Sequence, residues 1–321
     1  MTKLRVGVLR GGPSAEYEVS LKTGGAVLKH LPADKYLLRD ILITRDGTWH
    51  LNGVPARPEQ VTGSVDLIFN ALHGEYGEDG TVQELLDNLR LPYTGSGRLA
   101  AALAMNKPLA SAHFKAAGGR VPVSLLVEGE EDPEAAAGRI FLKLSPPWVV
   151  KPADRGSSVG LSFVKKFTDL AAAIKQAATV SKKILVEQFI KGREATVGVI
   201  DHFRSQPIYV LPPIEIRAPG NKPVWDYNDK YSGETQEICP GLFSEGEKEE
   251  LARLAALAHE TLNLRHYSRS DFIVTPRGIY LLEVNTLPGL TPESLMPKAL
   301  AAVGVDYPQF LDHIIDLALT K

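Results

Sequence analysis

The chain has 321 residues, 44% of them apolar and 23% charged, with a formal net charge of −2 and a single cysteine, Cys239. That length exceeds one ordinary core and predicts two or three units of a globular protein. The charge balance excludes a general affinity for nucleic acid or anionic membranes, and one cysteine excludes an intramolecular disulfide framework and a cysteine-rich metal site. No apolar stretch approaches the ~20 residues needed to span a bilayer. The amino-terminal run carries a charge inside its apolar stretch, so a signal peptide is not expected and the expected setting is cytoplasmic.

In chain order, residues 4–9 read as a strand running into Gly11-Gly12-Pro13-Ser14, with Ser14 placed to N-cap a helix over 16–29. A second apolar strand, 65–71, ends in the loop His73-Gly-Glu-Tyr-Gly-Glu-Asp-Gly80. A helix follows, with Val82, Leu85, Leu86 and Leu89 at helical spacing. Alternating strand and helix predict a parallel sheet, and loops at the carboxyl ends of such strands bind ligands. The first unit is therefore set at 1–105. A second, 106–187, opens with a helix over 106–117. It continues with a strand pair at 136–143 and 148–152, a Gly-Ser loop at 156–160, a strand at 161–164, a helix at 168–178 and a strand at 183–187. The third, 188–321, is strand-rich. It holds an irregular stretch at 212–241, a long helix at 244–262, a hairpin and a final helix at 307–319.

The hairpin carries the sharpest signal. Strands 271–274 and 279–284 flank Thr275-Pro276-Arg277-Gly278, whose Pro and Gly suit a turn. Glu283 and Asn285 point the same way by strand alternation, and Asp271 on the neighbouring strand can lie alongside them. Three hard oxygen donors on one surface suit Mg²⁺, although an ordinary hairpin with a polar face reads equally well from this segment alone.

Lys151-Pro-Ala-Asp-Arg-Gly-Ser-Ser-Val-Gly160 sets a cation at a strand end before close-approaching backbone N–H groups, an arrangement able to cradle phosphate. It lacks the P-loop pattern, and a plain connector is the competing account. Glu187-Gln188-Phe189-Ile190 through Glu194 forms a strand end whose main-chain groups could meet an adenine edge and whose Glu187 could meet ribose, or a merely solvated strand end. Glu16, in the first helical turn, is either a good helix start or a carboxylate waiting for a substrate ammonium. A dinucleotide site is disfavoured: Gly-x-Gly-x-x-Gly is missing, and Pro13 removes a backbone N–H that a pyrophosphate would use.

Together Gly11–Ser20, Ala71–Thr81, Leu91–Gly97, Lys151–Gly160, Asp226–Tyr231 and Leu281–Leu295 resemble, in family order and over nearly the whole chain, the D-alanine–D-alanine ligases of the ATP-grasp superfamily. The resemblance implies a three-domain α/β (α+β) ATP-grasp fold with ATP between the central and carboxyl-terminal domains. It implies joining of two D-alanines through an acyl phosphate, for peptidoglycan precursor synthesis. Lys107, Lys151 and Lys230 would contact phosphates, with Glu187, Gln188, Phe189, Ile190 and Glu194 around adenine and ribose. Asp271, Glu283 and Asn285 would hold two Mg²⁺, or Mn²⁺. Arg269 would stabilise the oxyanion. Glu16 would bind the first substrate's ammonium and His73 would lie beside its carboxylate. Ser157 and Tyr231 would complete a hydrogen-bonded set with Glu16, while Ser294 and Leu295 would take the second carboxylate. Loop 220–235 would close and exclude water. A homodimer is also implied, with no nucleic-acid or membrane partner.

Several positions depart from the family pattern: Arg10, Asp154, Arg155, Gln188, Trp225 and Ser270. Because Tyr231 accompanies an amine acceptor in the family, D-alanine is favoured over D-serine or D-lactate. A nucleotide-binding regulator without turnover is the reading from another class. Loss of Lys151, Arg269, Asp271, Glu283 or Asn285 would have supported it, and all five are present.

Overall fold

A computed structural model of the chain describes residues 3–156, 160–218, 220 and 235–320. Ser157, Trp225, Lys230, Tyr231 and nearly all of loop 220–235 lie outside the described residues.

The first sheet has β1 (Leu4–Gly11), β2 (Tyr36–Ile43), β3 (Trp49–Leu51), β4 (Val54–Pro55) and β5 (Leu67–Asn70), in the order β4-β3-β2-β1-β5. As expected, β1 pairs in parallel with β2 and with β5. The antiparallel edge β2-β3-β4 was not anticipated. Helices α1 (Tyr17–His30), α2 (Pro58–Thr62) and α3 (Thr81–Asn88) complete this part. Strand alternation splits β1 between two cores. Val6 and Val8 pack on one face and Leu9 on the other, where it meets Ile68, Val82 and Leu86.

Ser14 does not take the N-cap position. Helix α1 begins at Tyr17 with Glu16 before it, and the Ser14 hydroxyl instead donates to the His73 carbonyl at 2.6 Å while accepting the Glu16 N–H at 3.1 Å. The serine thus ties the β1 turn to the loop after β5.

Helices α4 (Arg98–Met105) and α5 (Lys107–Ala116) lead to the second sheet, ordered β6-β9-β7-β8, of β6 (Ser124–Glu128), β7 (Trp148–Pro152), β8 (Ser162–Val164) and β9 (Lys183–Gln188). The predicted strand over 136–143 is instead part of a helix, α6 (Pro133–Phe141). Asp132 caps it by accepting the Ala135 N–H at 2.9 Å, and Pro133 sits in the first turn, where no N–H is needed. Ala136, Ala137 and Ile140 then face inward at helical spacing, against α7 (Leu170–Ala178).

The third sheet runs β13-β12-β10-β14-β15, with β11 on β10: β10 (Arg193–Phe203), β11 (Gln206–Val210), β12 (Ile214–Arg217), β13 (Gln236–Ile238), β14 (Tyr267–Thr275) and β15 (Gly278–Asn285). Helix α8 (Glu245–Thr261) carries a capping box, Ser244 with Glu247, and packs on this sheet together with α4 and α5. After α9 (Leu295–Ala302), α10 (Tyr307–Leu319) turns back to the first sheet. Its Phe310, Leu311 and Ile314 share a core with Val6, Phe69, Ile200 and Tyr267. First and third sheets are therefore joined by one apolar core, and the functional loops gather at their junction.

Candidate active site

A cavity of about 840 Å³ opens where the first sheet's loops meet the end of β15. Its wall includes Glu16, His73, Glu78, Lys107, Arg269, Glu283, Asn285, Ser294 and Leu295. Eight predicted residues thus converge: Glu16, His73, Lys107, Arg269, Glu283, Asn285, Ser294 and Leu295. Asp271 lies on the neighbouring strand, opposite Glu283.

The hairpin supplies the charged floor. In the β14–β15 register Asp271 faces Glu283 and Arg269 faces Asn285, so all four are held by main-chain pairing. The register shifts between Asp271 and Phe272, and such a bulge re-aims side chains beside it. Asp271 Oδ1 accepts the Thr196 hydroxyl at 2.6 Å, and its two oxygens accept Arg269 Nε and Nη2 at 3.0 Å each. Asn285 Nδ2 donates to Asp271 Oδ2 at 3.1 Å. Burial opposes the Arg269 charge, but Asp271, then Glu283 and Glu78, outweigh it and raise its pKa further. Arg269 is therefore a fixed cation on the cavity wall. Lys107 Nζ lies 3.3 Å from Glu283 Oε2.

The donor set fits a hard divalent cation. Two carboxylates oppose each other in register, and an amide oxygen shares the Glu283 face, with no thiol or imidazole among them. Among the described residues no group of three or more His, Cys, Asp or Glu side chains is arranged to hold a metal ion.

At the other end, His73 is buried and its Nε2 is 2.8 Å from Thr23 Oγ1. Burial lowers its pKa against the pull of Glu16. Gly74 has φ +70°, and a Cβ there would lie 3.2 Å from Glu16 Oε1, so glycine serves both the turn and the room for the carboxylate.

Sequence reasoning assigned no role to Glu78. With 13% of its side chain exposed, it accepts the Gly74 N–H at 2.9 Å, the Leu287 N–H at 3.2 Å and the Thr286 hydroxyl at 3.3 Å. It thereby ties the His73 loop to the turn after Asn285. Burial, then the negative Glu16, push its pKa up to about 7. Thr196 was missed as well; its register opposite Asp271 emerges only from strand pairing.

Of the nucleotide-side residues, Lys151, Glu187 and Gln188 lie on the second sheet, Phe189 and Ile190 directly follow β9, Lys107 opens α5 and Glu194 is on β10. Lys151 Nζ is 2.7 Å from Glu187 Oε2, both buried, so the phosphate and ribose candidates are paired with each other. The N–H groups of Gln188 and Phe189 already donate to Val123 O at 2.8 Å and Pro147 O at 3.1 Å. The Phe189 ring stacks at a tilt on Phe163, 4.8 Å between centroids. Glu194 is half-buried on β10. Ser294 Oγ accepts the Thr291 N–H at 3.1 Å and lies 2.8 Å from Thr291 Oγ1, just ahead of Leu295 at the start of α9.

The chain matches the family model described as the D-ala D-ala ligase C-terminus over residues 121–316 and that of the D-ala D-ala ligase N-terminus over 5–63 and 52–96. It is 40% identical over 322 residues to the D-alanine–D-alanine ligase of Pelotomaculum thermopropionicum, covering 98% of this chain and 97% of that one. It is 42% identical over 320 residues to the enzyme of that name from Geotalea uraniireducens, covering 99% and 96%. Among solved structures, the VanG D-Ala:D-Ser ligase of Enterococcus faecalis superposes with a TM-score of 0.88 at 30% identity, covering 99% of this chain and all of that one. The Bacillus anthracis D-alanine–D-alanine ligase complexed with ATP superposes at 0.82 and 29% identity, covering 98% and 97%. With the convergence of residues from both ends of the sequence on one cavity, these matches place the chain in the D-alanine–D-alanine ligase family.

Proposed function

We propose that the chain uses ATP to join two D-alanines into D-alanyl-D-alanine through an acyl phosphate. The observation that carries this is one cavity lined both by the Glu16 carboxylate and by the Arg269 and Lys107 cations. An amino acid has matching polarity: its ammonium is drawn to Glu16, and its carboxylate then faces Arg269. The carboxylate oxygen attacks the γ-phosphorus of ATP, and ADP leaves. The second D-alanine's amine then attacks the acyl carbon, loses a proton, and phosphate departs as the amide forms. Arg269 steadies the oxyanion of that addition, since fixed positive charge in a dry site acts where negative charge develops. Lys107 and Lys151 meet the phosphates, the latter on release from Glu187. Asp271, Glu283 and Asn285 would hold Mg²⁺, which supplies neutralisation of the transferring phosphoryl group. Ser294 and the N–H of Leu295 receive the second carboxylate. Glu187, Gln188, Phe189, Ile190 and Glu194 border the base and ribose, and Ser157, Lys230 and Tyr231 close the site in the family manner.

The division at 1–105, 106–187 and 188–321, a cytoplasmic setting and a homodimer belong to the same proposal. Sedimentation decides the last.

The test is phosphate release with ATP and Mg²⁺ against D-alanine, L-alanine, D-serine and D-lactate, with product identified by mass. Release with D-alanine and a product of dipeptide mass supports the reading. Release only with D-serine as acceptor would favour the second reading, which the likeness to the D-Ala:D-Ser ligase motivates. ATP binding without any turnover would overturn both.

A further inference from the structure

The second sheet stands apart from the rest. Its core, including Val127, Ile140, Trp148, Val150, Ile174 and Val186, takes no residue from the other sheets. Polar contacts hold it over the cavity. The Arg155 guanidinium pairs with the Glu75 carboxylate in the His73 loop of the first sheet. Lys107 Nζ donates to the Arg155 carbonyl at 2.5 Å. The preceding residue, Asp154, is pinned to its own unit by the Ser181 hydroxyl at 2.6 Å. The next residue, Gly156, passes so close to the Glu16 carboxylate that a Cβ would lie 2.7 Å from Glu16 Oε1. Arg155 therefore sits between an anchor on one unit and the roof over Glu16 on the other.

We propose that Glu75 and Arg155 are positioning residues forming a latch that seats segment 152–156 against the His73 loop and roofs the Glu16 end of the cavity. This rests on the ligase reading, in which that end holds the amino acid whose acyl phosphate must be kept from water. Each side chain is 33% exposed. A pair so placed shifts the closing equilibrium by up to about fivefold and weakens in salt. The order Asp154-Arg155 now has a use: it puts the cation beside Glu75, while Asp154 Oδ1 accepts the Ser181 hydroxyl and lies 4.0 Å from Arg155 Nε.

The test compares Glu75→Gln, Arg155→Gln and the exchanged double variant E75R/R155E with the parent, after thermal unfolding shows each is folded. Each single variant should raise the D-alanine KM by up to about fivefold and yield less dipeptide per phosphate released. About 0.5 M NaCl should do the same to the parent and little to the variants. The exchanged pair should recover the coupling, which a merely structural contact would not govern. Parental KM and coupling in both single variants, or a folded exchange variant that recovers nothing, would overturn the latch. A parent that makes no dipeptide defeats the ligase reading instead. Hydrogen exchange in peptides spanning 73–80 and 152–156 then decides the latch: faster exchange in both single variants supports it, and unchanged exchange overturns it.

Discussion

Replacing Glu78 by glutamine tests whether a buried carboxyl ties the two halves of the cavity together while resisting ionisation. Its oxygens accept the Gly74 and Leu287 N–H groups and the Thr286 hydroxyl, and it faces Glu16, with His73 Nδ1 4.0 Å away and Arg269 nearby. Burial and Glu16 raise its pKa from 4.5 to about 7. An acid whose pKa rises on folding holds its proton more tightly in the native state. Its contribution is therefore fully present below pH 4.5, is lost as pH climbs towards about 7, and is level above that. At ~1.4 kcal/mol per pK unit the loss is about 3 kcal/mol. Glutamine cannot titrate, and whatever its changed hydrogen bonds cost is the same at every pH. Urea unfolding of parent and Glu78→Gln, compared at each pH from 4.5 to 8.5, should show the parent losing about 3 kcal/mol relative to the variant by about pH 7 and nothing more beyond. Saturating D-alanine should shrink that loss, because an ammonium at Glu16 cancels part of the push on Glu78. Binding near neutral pH should then release protons, visible by calorimetry in buffers of different ionisation enthalpy. Parallel stability curves for the two proteins would refute the reasoning.

Three further outcomes follow from the same geometry. Glu283→Gln should lower turnover by two or more orders of magnitude while urea stability holds, since the variant keeps shape and loses the charge opposite Asp271 (~10²–10³ for removing one such group); equal phosphate release by mutant and parent would sink the assignment. Thr196→Val keeps the side-chain shape but removes the hydroxyl held 2.6 Å from Asp271, so turnover should fall roughly 10- to 100-fold with a changed Mg²⁺ dependence. Unaltered values of both would show that this bond does not orient the carboxylate. Phe310→Ala empties a fully buried site, 5.7 Å between ring centroids from Tyr267, where α10 meets the first sheet. It should cost about 3–5 kcal/mol in urea unfolding, and a loss well under that would mean α10 does not bind the two sheets.

What could be read from one dimension was whatever local chemistry repeats at a fixed spacing. Alternation along β15 put Glu283 and Asn285 on one face, and Pro276 with Gly278 marked the turn that brings Asp271 opposite. The helices predicted over 244–262 and 307–319 are also present, the first carrying a Ser244–Glu247 capping box that was not singled out in the sequence. The misread strand at 136–143 was also decided locally, by Asp132 and Pro133. There the apolar run outweighed a cap signal just upstream of it, although an apolar run alone does not distinguish helix from strand. The contacts that turn a set of motifs into a site are of another kind. Glu78 reaches Leu287 across 209 positions and Thr196 reaches Asp271 across 75. No spacing rule encodes either one, because each exists only after α10 has docked the first sheet or β10 has paired with β14. Glu75 and Arg155 go further, since they join units whose cores are separate. Their pairing is set by how two packed bodies meet, and no pattern within either body announces it. Candidate site residues were thus legible as types, as spacings and through a family resemblance, whereas residues that hold one body against another became visible only with the bodies in place.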